Sequence, residues 1–204
     1  MIQAHAFMKA GMAKKCLVIG AEALSRVVDP HDRDSMIYSD GAGATVAELT
    51  QDETTGILAH KSATFTYDEA HFIYFGESNN QEMTDARKYI KMYGRKIYNF
   101  ALSNVPEAMK ACLDKSEVAI DDIKKIFIHQ ANEKMDEAII KRFYRLYKKT
   151  PPPAVMPMMI QETGNSSVAT IPTLFDKVKR GQLEGHSISK GDHIMFASVG
   201  AGMN

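Results

Sequence analysis

Two polar residues stand at turns where a chain of apolar runs would present a reactive group. His129 follows Lys125-Ile126-Phe127-Ile128 and opens the tetrad His129-Gln130-Ala131-Asn132, while Asn165 sits in Gly164-Asn165-Ser166-Ser167. An imidazole exchanges a proton near neutral pH and a carboxamide offers an N–H donor, so together they can hold the charge of a developing enolate or oxyanion. A single histidine at a strand end is as readily a hydrogen-bonded structural residue. The tandem of two polar turns is what points to chemistry. Cys16 falls in an apolar run and Cys112 late in a helical one, settings that suit inert thiols rather than a nucleophile. The seven histidines are scattered, with no CxxC pair and no i,i+4 histidines beside a glutamate, so no metal site is expected.

The elements that must position these residues alternate between strand and helix. Ile2 to Ala10 reads as the end of a helix closed by Gly11, and Lys15 to Ala21 as a strand whose lack of alternation predicts cover on both faces. After the polar loop Asp29-Pro30-His31-Asp32-Arg33-Asp34, small residues open a strand at Ser39 to Leu49, where backbone can approach a neighbour closely. Gly56 to Phe65 is expected as a strand, and Thr66 to Asn80 shows no clear period. Helical spacing runs from Thr84 to Leu113, with Pro106 expected to kink or divide it. A strand then precedes His129, a long amphipathic run reaches Tyr147, and Met156 to Ile160 is expected as a short strand. A helix follows Asn165 to Arg180, and His193 to Ser198 forms a last strand before Gly200-Ala201-Gly202. This order predicts layered α/β packing, with ligands gathering beyond the carboxyl ends of strands. The uncapped opening helix and the closing glycine turn read as the edges of something longer.

Composition removes several function classes. The 204 residues carry 25 basic and 25 acidic side chains, so there is no positive field of the kind that gathers nucleic acid or anionic membrane. A hydrophobic content of 45% supports a real core, yet the longest apolar stretches fall far below the ~18–20 residues needed to cross a bilayer. Two cysteines cannot build a disulfide framework, which fits a reducing, cytoplasmic setting. Asp40-Gly41-Ala42-Gly43-Ala44 completes no GxGxxG and leads into no helix, which argues against dinucleotide binding.

Four stretches together resemble the 3-oxoacyl-(acyl carrier protein) synthase III family of the thiolase-like superfamily. They are Gly20-Ala21-Glu22 with Asp29-Pro30 and Arg33, then Ser39 to Ala44, then His129-Gln130-Ala131-Asn132, and last Gly164-Asn165-Ser166-Ser167 with Ile171-Pro172. The likeness spans about Phe7 to Gly202. It implies a thiolase-like layered αβαβα fold, here incomplete, with residues 1–50 as the end of the first half and 51–204 as the second half without its last strand. It also implies decarboxylative condensation of acyl-CoA with malonyl-acyl carrier protein in fatty acid biosynthesis, with CoA thioester as substrate and no permanent cofactor.

By the same resemblance His129 and Asn165 bind the malonyl thioester carbonyl, and the backbone of Gly200, Ala201 and Gly202 helps form an oxyanion hole. Arg33 pairs with the CoA nucleotide, Met92, Gly94 and Tyr98 line the pantetheine tunnel, Ala131 and Asn132 flank that arm, and Lys134 docks the acidic carrier protein. The family's nucleophilic cysteine falls just upstream of Met1, so the chain is expected to be inactive in condensation. A homodimer is expected. Val199 and Ala201 stand where relatives commonly have an aromatic residue and a glycine, which leaves the acyl group unnamed. A non-catalytic CoA or acyl-carrier binding module, or a polyketide-type or hydroxymethylglutaryl-CoA synthase, are the competing readings.

Overall fold

Alternation of outward apolar and inward small residues builds the first sheet. The computed structural model describes residues 1–52, 55–84 and 86–204. After helix α1 (Ile2–Lys9), strand β1 (Lys15–Ala23) pairs antiparallel with β2 (Asp40–Glu48), Lys15 opposite Glu48 and Ala23 opposite Asp40. The inner face meets α1, where the Cys16 thiol points at the Ala4 carbonyl 3.9 Å away. The outer face carries Leu17, Ile19 and Val46, which are 63%, 63% and 65% exposed. This corrects the expectation of a strand covered on both faces. The run lacks polar alternation because both faces are apolar, but only the inner one is packed.

A second ribbon pairs β3 (Ile73–Gly76) with β4 (Tyr89–Met92). It is pinned to the loop at 29–34 by a buried ion cluster: Lys91 Nζ donates to Asp29 at 2.6 Å, to Asp32 at 2.9 Å and to the Asn79 side chain at 2.8 Å. Burial alone would push the Asp29 carboxyl up. Lys91, the Asn79 and His31 N–H groups and the Ser78 hydroxyl outweigh it and hold Asp29 well below the usual carboxylate range. A buried charge so fully hydrogen-bonded fixes geometry, whatever its net contribution to stability.

The main core forms around β5 (Ile123–Ile128), which runs parallel to β6 (His193–Ala197). Ile126 and Ile128 face α2 (Gly94–Ser116) and α3 (Glu133–Leu146), together with Met109, Leu113, Ile139 and Phe143. Phe127 points the other way, against Leu174 and Val178 of α5 (Thr170–Lys179), with α4 (Ile160–Thr163) leading into it. The order of layers is therefore α2 and α3, then β5–β6, then α5, then β1–β2, with α1 packed on β1–β2.

Three expected elements differ. Residue 85 lies outside the described residues, and the helix expected from Thr84 begins at Gly94 because Tyr89–Met92 pairs as β4. That helix also passes Pro106 without dividing. Proline in a helix interior removes one backbone bond and costs ~3 kcal/mol. The carbonyl it leaves without an N–H is that of Leu102, and Arg142 Nη1 of α3 donates to it at 2.8 Å. Gly56 to Phe65 forms no strand; Phe65 instead donates its N–H to the Met203 carbonyl. Met156 to Ile160 is not a strand either, since the Gln130 side chain takes the Met159 N–H at 2.9 Å and the chain turns into α4. Among the described residues no helix is long and apolar enough to cross a membrane.

Candidate active site

The two polar turns come together at one point between the sheets. His129 follows the end of β5, its own N–H donating to the Ala197 carbonyl of β6 at 2.9 Å. Asn165 sits in the turn before α5 and is clamped by backbone: its N–H donates to the Ile37 carbonyl at 2.8 Å, and its carbonyl accepts from the Ser39 N–H at 3.0 Å. Gly164 makes this entry possible. Its φ is +64°, and a Cβ there would lie 2.9 Å from Ser39 Cβ. The small residues of β2 serve the same turn, because a Cβ on Gly43 would stand 2.6 Å from Pro172 and one on Gly41 2.8 Å from Ser166. The close approach read from the glycines is thus an approach to the site's own loop.

Ser167 links the two side chains. Its N–H donates to Asn165 Oδ1 at 2.9 Å, which fixes the amide and leaves Nδ2 as the donor. Its carbonyl accepts from Thr170 Oγ1 at 2.9 Å, and Thr170 Oγ1 lies 2.7 Å from His129 Nδ1. Ser167 does this at φ +50°, a left-handed conformation that costs a non-glycine residue of order 1–2 kcal/mol. Burial pushes the His129 ring down to about 4, against the Ser167 carbonyl, which raises it. The ring is therefore neutral at pH 7, able to hydrogen-bond without carrying charge. Behind it lies a cavity of about 10 Å³, walled by Val105, Ile128, Ile139 and Val199 and by Asp136. Asp136 is buried with Oδ2 unpartnered, and burial pushes its carboxyl up to about 8 despite N–H bonds from Asn132 and Ala131.

The other residues singled out in the sequence are placed as follows. The Tyr38 hydroxyl donates to Met92 Sδ at 3.4 Å, and a Cβ on Gly94 would meet only Asp34 Oδ2, at 3.8 Å. Met92, Gly94 and the exposed Arg33 thus adjoin the strip 32–38 that clamps Asn165. Tyr98 lies one turn into α2, 40% exposed. Ala131 packs against the main core, and Asn132 caps α3 by accepting from the Met135 N–H at 3.1 Å. Lys134 is exposed on α3.

At the Gly200-Ala201-Gly202 turn the Gly200 N–H is spent on the Asn204 carbonyl at 3.0 Å, whereas the Ala201 and Gly202 N–H groups take no backbone carbonyl among the described residues. Neither cysteine lines the His129 cavity, and burial pushes the Cys112 thiol up, away from the reactive thiolate. A larger cavity, about 510 Å³, lies at the opposite end of β5 and β6 beside Ile123 and His193. Sequence reasoning missed Thr170 and Asp136. A hydroxyl five residues after Asn165, one turn down the same helix entry, was the available signal for the first.

This arrangement of sheets about a central helical layer, with His and Asn on facing turns, is the thiolase-like α/β fold. Structures of beta-ketoacyl-[acyl carrier protein] synthase III from Thermus thermophilus and from Aquifex aeolicus superpose with TM-scores of 0.82 and 0.79, at 28% and 30% identity, each over 99% of this chain and 60% of the other. The family model described as 3-oxoacyl-[acyl-carrier-protein (ACP)] synthase III matches residues 1–65, and its C-terminal counterpart matches residues 113–204. The chain belongs to the 3-oxoacyl-[acyl-carrier-protein] synthase III family. The beta-ketoacyl-[acyl-carrier-protein] synthase III of Acaryochloris marina is 35% identical over all of this chain. The chain spans 60% of the length of that relative.

Proposed function

We propose that these 204 residues carry the decarboxylating half of a condensing enzyme of fatty acid biosynthesis. The observation that supports it is the pairing at Ser167: one residue fixes the Asn165 amide as a donor and, through Thr170, the plane of the His129 ring. Two donors held by one peptide suit a malonyl thioester carbonyl, whose oxygen gains charge as carbon dioxide leaves. Donors aimed at that oxygen stabilise the charge as it develops, and removing one such donor typically costs 10²–10³-fold in rate. Neutral His129 at pH 7 suits a donor role, since neither carboxylate loss nor enolate binding asks it to remain charged.

In this reading Arg33 meets the CoA nucleotide, Met92, Gly94, Tyr98, Ala131 and Asn132 flank the pantetheine arm, and Lys134 docks the acidic carrier protein. The oxyanion role of the last turn narrows to Ala201 and Gly202. Acyl-CoA and malonyl-acyl carrier protein are the substrates, the protein is cytoplasmic and homodimeric, and no cofactor stays bound. Residues 1–50 and 51–204 correspond to the end of one thiolase-like half and to the other half. Because neither Cys16 nor Cys112 reaches the site, the chain by itself is not expected to form an acyl-enzyme. The test mixes the purified chain with acetyl-CoA and malonyl-acyl carrier protein. Malonyl thioester should bind and lose carbon dioxide while no 3-oxoacyl product forms. Turnover to 3-oxoacyl product would overturn the assignment of both cysteines as inert.

A further inference from the structure

The side chain that touches His129 most closely is a hydroxyl whose proton is already committed. Thr170 Oγ1 donates to the Ser167 carbonyl at 2.9 Å, since a carbonyl can only accept. At 2.7 Å from His129 Nδ1 the same oxygen then presents a lone pair, so Nδ1 must be the donor. In a neutral imidazole that places the one ring proton on Nδ1 and leaves Nε2 as an acceptor. A ring in that state cannot donate from Nε2 to a thioester carbonyl. A hydroxyl resolves this, because it can rotate its proton onto Nδ1 and accept nothing from the ring.

We propose that Thr170 is a positioning residue that sets the ring tautomer of His129, holding the proton on Nδ1 in the resting protein and releasing it to Nε2 when a carbonyl oxygen arrives. The proposal rests on the reading of His129 as a donor to the malonyl thioester. The proton balance closes: Nε2 takes one proton from solvent water and Nδ1 gives one back as its hydrogen bond to Thr170 opens, so the ring is neutral before and after the exchange. The Thr170 hydroxyl proton moves from the Ser167 carbonyl to Nδ1 in the same exchange, with no bond broken at Thr170.

Three features make Thr170 suited to this. It is buried, 5% exposed, so water does not compete for its hydroxyl. It stands at the first residue of α5, where the backbone is fixed. Its acceptor, the Ser167 carbonyl, belongs to the residue whose N–H orients Asn165, so the tautomer of one donor is tied to the pose of the other.

The test is long-range ¹H–¹⁵N correlation of the His129 ring in the full 204-residue chain. In the free wild-type protein Nδ1 should show the pyrrole-type signature and Nε2 the pyridine-type one; the reverse would overturn the proposal without any variant. Thr170→Val keeps the shape and removes the hydroxyl, and should move the major population to Nε2–H. Thr170→Ser should restore the wild-type signature. Unchanged ring signals in Thr170→Val, or a Thr170→Ser spectrum resembling Thr170→Val, would each overturn it. Addition of malonyl-CoA separates this proposal from the one it rests on. A ligand-driven swap to Nε2–H in the wild type supports both. A wild-type ring that keeps Nδ1–H with malonyl-CoA bound removes the thioester-donor role and the release step, while the resting Nδ1–H assignment is read from the free protein.

Discussion

The sheets β1–β2 and β5–β6 are each two strands wide and flank the same helix, α5, yet they are held in different ways. Around β5–β6, large side chains lock from both faces: Ile126, Phe127 and Phe143 have no exposed surface. Around β1–β2 the packed face makes its closest contacts at Gly20, Gly41 and Gly43, and the opposite face leaves Leu17, Ile19 and Val46 in solvent. One sheet is a source of stability. The other is a backbone surface shaped to let the Asn165 turn and Pro172 come close, and it borrows its support from them. The difference teaches that the site's precision comes from close backbone contact on one side and from a rigid side-chain core on the other.

The largest effect should follow from opening the core. Phe143→Ala empties a fully buried position between α3 and its neighbours and should cost ~3–5 kcal/mol in denaturant unfolding. A loss below ~1 kcal/mol would mean that the core is not the stabilising region.

Next comes Asp136, a charge problem inside that same core. Below its folded value of about 8 the carboxyl stays protonated, whereas the unfolded chain releases the proton above the ordinary 3.8. The folded state thus holds one more proton in that window, and stability falls as pH rises through it. His129 does the opposite between about 4 and its ordinary 6.5, because the unfolded chain takes the extra proton there. The two slopes cancel from about pH 4 to 6.5, and above 6.5 Asp136 alone should make stability fall until about pH 8. Asp136→Asn removes that fall and should stabilise the protein at pH 7 by on the order of 2–4 kcal/mol. A stability profile unchanged by the substitution would place the carboxyl in a wetter setting than its burial indicates.

On the ribbon side the expected effects are smaller and differ between the two faces. Gly43→Ala forces a methyl group into Pro172 and should cost ~1–3 kcal/mol, with chemical-shift changes spreading to Asn165 and Ser167. Leu17→Ser on the open face should change stability by less than ~0.5 kcal/mol. Equal costs for the two would dissolve the distinction between the faces.

Much of this was legible in the residues themselves. The strand before His129, the turn at Asn165 and the close approach at Gly41 and Gly43 follow from apolar runs and small residues, which act locally. What local pattern could not show was compensation from a distance. Pro106 breaks helices in isolation, but Arg142 of the next helix supplies the missing donor. The apolar run of β1 signals two covered faces, and packing within this chain provides one. Gly56 to Phe65 has strand composition, yet a strand requires a partner ladder that composition cannot supply. Thr170 and Asp136 went unnoticed because their roles depend on burial and on which atom faces His129.

The central claim is that Asn165 and His129 act as paired donors on a malonyl thioester carbonyl. Malonyl-CoA decarboxylation, followed as acetyl-CoA formation by the wild-type chain and by His129→Ala and Asn165→Ala, tests it most directly. Wild-type turnover above the uncatalysed background, with each variant ~10²-fold lower, is the expected result. Wild-type turnover at background, or variants that match the wild type, would contradict it.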